Sequence, residues 1–221
     1  MLASELINDM IPPLKLTDTT TLALSWMDEF RCNQLAVVSK GKFLGLVSEE
    51  LILDQGENVT LIRDLALECS HCKVTQSAHF FEIIKLASSN VIELVGVVNN
   101  EDDYQGVITI KDTIFALSQT LAVQSVGAII VISLKAIDYS LADISRLVES
   151  EGYKVLSSSI KLDETNSELL KLTLKVNSQD VQRLVATLER FDYKITAQLQ
   201  THPSSDSDQA RLDILFKYLD I

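Results

Sequence analysis

At 221 residues the chain is long for one domain and comfortable for two. It is 47% hydrophobic and 23% charged, with seven Gly and three Pro, the composition of an ordered globular protein. A net charge of −12, of which −9 falls in residues 1–120, argues against duplex nucleic acid as a partner, because such binding rests on neutralising phosphates with Lys and Arg. The start Met1-Leu2-Ala3-Ser4-Glu5-Leu6 lacks the basic region and apolar core of a signal peptide. The longest apolar runs, such as residues 126–132, fall far short of a membrane span. Three cysteines, an odd number, argue against a secreted disulfide scaffold. A cytoplasmic protein without a membrane partner is expected.

In chain order, a short helical segment at Leu2–Ile7 leads to an extended piece around Leu14–Leu16. A helix capped by Thr19 or Thr20 follows, with Leu22, Met27 and Phe30 on or near one face; Trp26 and Phe30 read as core. Two apolar strands, Gln34–Val38 and Phe43–Val47, are joined by a tight turn at Lys40-Gly41, and a helix at Glu49–Asp54 closes the set. Aligning Gly45 with Gly106 shows the same order again, 61 residues on. The second copy has a helical opening at Leu61–Ala66 and an extended piece at Lys73–Thr75. Its helix is capped by Ser77 and carries Phe80, Ile83, Ile84 and Ala87. Strands Ile92–Val98 and Gln105–Ile110 then flank the acidic loop Asn99-Asn100-Glu101-Asp102-Asp103, before a helix at Lys111–Ser118.

Chemistry concentrates where the last strand of each copy turns into its helix. In Gly106-Val107-Ile108-Thr109-Ile110-Lys111-Asp112 a hydroxyl ends the strand and a carboxylate sits in the first helical turn. Hydroxyl and amides at a helix N-terminus suit an anion such as phosphate. The carboxylate can accept from the two hydroxyls of a ribose. The earlier copy reads Gly45-Leu46-Val47-Ser48-Glu49-Glu50-Leu51, with Leu51 at the acid position and Glu50 one residue early. One residue is about 100° of helix rotation, so Glu50 should point elsewhere.

The β-α-β-β-α order, twice, with Gly, two apolar residues, Ser/Thr and then Asp at the strand end, resembles a tandem CBS pair, the adenosine-binding regulatory module. The resemblance covers residues 1–120, with repeats at about 1–58 and 59–120. It implies that Thr109 touches phosphate, Asp112 the ribose and the neighbouring backbone the adenine. Ile110 lies between them, and Lys111 or Arg63 could supply charge to a phosphate. Ser48 and Glu50 mark a degenerate second site.

A new pattern begins near Val126. A strand at Val126–Leu134 precedes a helix capped by Ser140, with Leu141, Ile144, Leu147 and Val148 at helical spacing and Gly152 after its end. Strands at Lys154–Leu162 and Leu169–Val176 follow, then a helix capped by Ser178 with Val181, Leu184, Val185 and Leu188, and a strand at Tyr193–Leu199. This β-α-β-β-α-β order over residues 121–201 is ferredoxin-like and resembles an ACT domain. Amino-acid-binding members turn from first strand to first helix with a Gly; residues 135–140 hold none, which favours assembly. Gly127 and Ser140-Leu141-Ala142-Asp143-Ile144-Ser145 also resemble the third domain of acetoin-utilisation accessory proteins. The expected class is α+β, with a linker and short helix over 202–221 whose Leu212, Leu215, Phe216 and Leu219 form one stripe.

Cys69-Ser70-His71-Cys72 is short of two ligands for a metal knuckle and lies after a helix rather than opening one, so it reads as structural, as a redox pair or metal site less so. His79, in the first turn of its helix, reads as solvated or locally bonded. No triad, phosphate-cradling Gly loop or paired acids stand out, so no enzyme and no required cofactor are expected. The sequence reads as a homodimeric regulator of another protein that binds AMP, ADP or ATP, the polyphosphates with Mg²⁺ to offset the negative charge. The alternative is a non-catalytic scaffold with vestigial nucleotide sites.

Overall fold

Helix and strand boundaries follow the two periodicities of the sequence closely. A computed structural model describes residues 1–55, 60–164 and 166–201. Contacts divide the chain into two compact units, Met1–Leu117 and Ser118–Ile221, and the fold is a mixed α/β one with three sheets. The proposed C-terminal helix and its linker lie outside the described residues.

In the first unit, β1 (Leu14–Lys15), α1 (Thr20–Phe30), β2 (Gln34–Ser39), β3 (Lys42–Ser48) and α2 (Glu49–Gln55) form one repeat. The second is β4 (Lys73–Thr75), α3 (Phe80–Asn90), β5 (Leu94–Val98), β6 (Tyr104–Thr109) and α4 (Ile110–Thr120), whose last turn crosses the unit boundary. Each sheet has the same order, a parallel first pair and an antiparallel second pair. The spacing is 61 residues only after the turn between the paired strands. Before it, α1 and α3 start 60 apart, and the longer loop at 99–103 accounts for the added residue. Lys40 and Gly41 both have positive φ, the geometry that a two-residue hairpin turn needs.

Each repeat's opening segment crosses to the other repeat. Ala3 and Ser4 amides donate to the Ala78 and Gln76 carbonyls, and Asn8 donates to Val107 of β6. Reciprocally, the Ile62 and Arg63 amides donate to Asp18 and Leu16. Both openings are single 3₁₀ turns, at Ala3–Glu5 and Ile62–Asp64, rather than longer helices. One apolar core, including Leu14, Leu35, Ile62, Phe80 and Ile108, therefore spans both repeats.

Two expected caps are corrected. Thr19 caps α1, accepting from Leu22, but α3 is capped by His79, whose Nδ1 accepts from Phe81; Ser77 instead meets Thr75. The chain spends residues 75–78 in a turn closed by the Ala78 amide on Thr75, so the helix starts after Ser77 has passed.

In the second unit, β7 (Gly127–Lys135), α5 (Leu141–Ser150), β8 (Val155–Leu162), β9 (Leu169–Val176), α6 (Gln182–Arg190) and β10 (Lys194–Thr201) make an antiparallel sheet of order β10-β7-β9-β8. Its own core joins Ala128, Ile130 and Ile132 of β7 to Ile144 and Val148 of α5 and to Leu184 and Leu188 of α6. Ser140 caps α5 as expected. α6 begins after Val181, and Asp180, not Ser178, accepts from the Gln182 amide. Among the described residues no helix is long and apolar enough to cross a membrane.

Candidate functional site

Strand β6 must pass close to the opening segment of the other repeat, and Gly106 permits it. Its φ is +152°, and an added Cβ would lie 2.5 Å from Cγ2 of Ile7. Three residues later Thr109 ends the strand and Asp112 falls in the first turn of α4. The Thr109 hydroxyl donates to Oδ2 of Asp112 at 2.6 Å, the Thr109 amide donates to the same oxygen at 3.0 Å, and the Asp112 amide donates back to the hydroxyl at 3.2 Å. This is the reciprocal capping of a helix start. Asn8, delivered by the crossing N-terminal segment, adds a donor to Oδ2 at 3.4 Å. Among the described residues Oδ1 accepts no hydrogen bond, so half of this half-buried carboxylate remains open to a ligand.

Asp112 lines a cleft of about 430 Å³ built by both repeats. Thr109, Ile110 and Lys111 line it from the second; Asn8, Phe30 and Arg31 are among those lining it from the first. Lys111 reaches the Arg31 carbonyl at 3.4 Å. Two cations, three carboxylates (Glu29, Glu93 and Asp112, the last with one oxygen open) and the apolar surface of Ile11, Phe30, Leu94 and Ile110 thus share one hollow, a combination that suits a phosphate, a diol and a flat heterocycle. Cys32 also lines it; burial pushes its thiol pKa up, so it is protonated at neutral pH.

Sequence reasoning missed Asn8 and Arg31, and took Phe30 as core alone, whereas it both packs on the core and borders the cleft. Arg63 does not line this cleft. Its segment docks on the first repeat through Leu16, and its guanidinium faces Asp64 at 3.7 Å.

The equivalent place in the first repeat is a hollow of about 450 Å³ whose lining includes Ser48, Glu50, Glu68, Cys69, His71 and Val91. Ser48 accepts from the Leu51 amide as Thr109 does from Asp112, so Leu51 is the counterpart of Asp112. Val91 stands where the other cleft has Arg31, both following their helix in a left-handed conformation. Glu50 is the counterpart of Lys111 and lines the hollow, contrary to the rotation argument, because the second helical position borders both hollows, whereas the third borders only the Asp112 cleft. Among the described residues no Lys or Arg lines this second hollow.

No protein-family model matches the sequence, and no match was found among curated proteins. Solved structures do resemble it. The CBS domain pair/ACT domain protein of Thermotoga maritima is 20% identical over 55% of this chain and 99% of its own, with a TM-score of 0.49. CBSX2 in complex with AMP is 16% identical over 53% and 96%, with a TM-score of 0.47. The CBS domain pair of protein MJ0100, in complex with 5′-methylthioadenosine and S-adenosyl-L-methionine, is 17% identical over 54% and 97%, with a TM-score of 0.45. The solved structures to which this chain is similar include CBS-domain-pair proteins.

Proposed function

We propose that the first unit is a CBS pair that binds an adenosine-containing nucleotide in the Asp112 cleft, and that the chain acts as a non-catalytic regulator through a homodimer. The observation that carries this reading is the contrast between the hollows: beside Glu29 and Glu93, one gathers Arg31, Lys111 and the open oxygen of Asp112, whereas its twin has Val91 and Glu50 at the positions of the two cations. A ribose diol fits Oδ1 of Asp112, a phosphate fits Lys111 and Arg31, and the base fits the apolar wall. The Thr109 hydroxyl, committed to Asp112, acts by holding that carboxylate in place.

The second unit serves assembly as an ACT-like domain. Among the described residues β8 is an edge strand that exposes Ile160 and Leu162, the kind of edge that a second copy can cover. Ligand affinity that differs between two dimer arrangements is then the only means of transmission, since equal affinity shifts nothing.

Isothermal titration with AMP, ADP and ATP, each with and without Mg²⁺, tests the proposal. One site per chain is expected, weakened roughly tenfold or more in Asp112→Ala and unchanged in Glu50→Ala. Absence of heat with every nucleotide would leave a scaffold with vestigial sites, a reading the second hollow's lost cations favour for its own half.

A further inference from the structure

The second hollow is poor in cations yet rich in donors for one. Cys69, His71 and Cys72 place Sγ, imidazole nitrogen and Sγ all within 4.8 Å of one another. We propose that, with its cysteines reduced, this cluster binds a thiophilic divalent cation of the zinc class at the wall of the second hollow.

Geometry fits the ligand set. Zn–S near 2.3 Å and Zn–N near 2.0 Å at a tetrahedral angle put sulfur and nitrogen roughly 3.5 Å apart. Sγ of Cys69 and Nε2 of His71 are 3.8 Å apart before any metal draws them in. The Cys69 and Cys72 Cα atoms, 5.2 Å apart, allow both sulfurs onto one ion. A turn closed by the Cys72 amide on the Cys69 carbonyl fixes the loop. Asn90 stands beside them: Nδ2 is anchored on the Leu86 carbonyl at 2.8 Å, and Oδ1 is hydrogen-bonded to Nε2 of His71 at 3.0 Å, so Oδ1 or a water would complete the tetrahedron once Nε2 turns to the ion. Glu50 and Glu68, lining the same hollow, add negative potential for a cation.

Comparison of the repeats sharpens the argument. At the 60-residue spacing, 69–72 corresponds to Asp9-Met10-Ile11-Pro12, of which Met10 and Ile11 form part of the wall of the Asp112 cleft. One position in the fold therefore gives an apolar wall where the hollow carries Lys and Arg, and thiols with imidazole where, among the described residues, the hollow carries neither.

Cys69 and Cys72 are disulfide-linked in the structure. A dithiol reductant cleaves that bond, taking up the electron loss as its own disulfide and leaving two thiols; binding of M²⁺ then displaces two protons from them. The oxidised chain offers no thiolate and should not bind.

Co²⁺ is the probe. Full-length protein, reduced with a dithiol and freed of it anaerobically, should take up one equivalent, showing sulfur-to-cobalt charge transfer and the intense visible bands of tetrahedral coordination, both displaced by Zn²⁺. Cys69→Ser and His71→Ala, at a half-buried and an exposed site, should each weaken binding more than 100-fold, above the roughly 10–100-fold cost of removing a ligand's outer hydrogen-bond partner. Circular dichroism of the variants reports folding separately. Absence of Co²⁺ uptake by reduced protein, a weak octahedral spectrum, or binding unchanged in folded His71→Ala would each overturn the proposal. AMP titration of Cys69→Ser should match the unsubstituted chain, so failure here is separable from failure at the Asp112 cleft.

Discussion

Asp112 carries two duties on separate oxygens. Oδ2 caps α4 and Oδ1 stays open, so replacement by Ala removes a cap and, with it, the ligand contact proposed above. The cap is worth about 1 kcal/mol, which leaves the protein folded. Loss of charge-assisted bonds worth about 1.5–3 kcal/mol each should weaken AMP by roughly tenfold or more, read by titration beside a denaturant melt. Tyr104 poses the opposite case. Its hydroxyl is buried without a hydrogen-bond partner among the described residues, and burial raises its pKa, so the group contributes a desolvation cost. Tyr104→Phe should hold or raise stability, by up to about 1 kcal/mol in urea unfolding. A clear loss would reveal a partner for that oxygen.

At the scale of elements, helix ends hold the informative residues. α3 stops at Val91, a β-branched residue at φ 54° that is 89% exposed. Left-handed backbone costs an L residue about 1–2 kcal/mol, so Val91→Gly should raise stability by about 1 kcal/mol, measured by denaturant midpoint. Loops between paired strands join the repeats: Lys42 pairs with Asp103 at 2.8 Å, and the Tyr104 amide donates to the Gly41 carbonyl. Hydrogen bonds from Lys42 and then Asn99 hold the Asp103 carboxyl below its ordinary value of 3.8. The lowered value means that this contact stabilises fully above pH 3.8 and fades as pH falls through the folded value. Asp103→Asn should therefore flatten the acid limb of stability against pH and leave the neutral limb's slope unchanged.

The strand-to-helix junction at Thr109–Asp112 was readable in the sequence because it is local: three residues separate donor from acceptor. Asn8 and Arg31 were not, because they reach the same cleft across 104 and 80 residues of chain: the crossing of the opening segment delivers Asn8, and the end of α1 delivers Arg31. Arg63 misled for the same reason, since crossing carries its segment to the other repeat. Capping by His79 escaped because Ser at a helix start is the commoner choice, and the deciding turn at 75–78 leaves no mark in hydrophobic periodicity.

For the molecule as a whole, two separate cores imply two cooperative unfolding events. AMP at a hundredfold its dissociation constant should stabilise the first unit alone, by about 2.7 kcal/mol. Calorimetry should thus show one transition moving and the other fixed. Movement of both would show that the units unfold together.

Arg31 turns left-handed as it leaves α1, at φ 53°. Its twin Val91 bears the same contortion without a cationic head. Glycine at 91 is pure relief, whereas glycine at 31 relieves the backbone and strips the cleft of a guanidinium. The sturdier protein would be the poorer receptor, and the two halves of one chain hold experiment and control for that conflict.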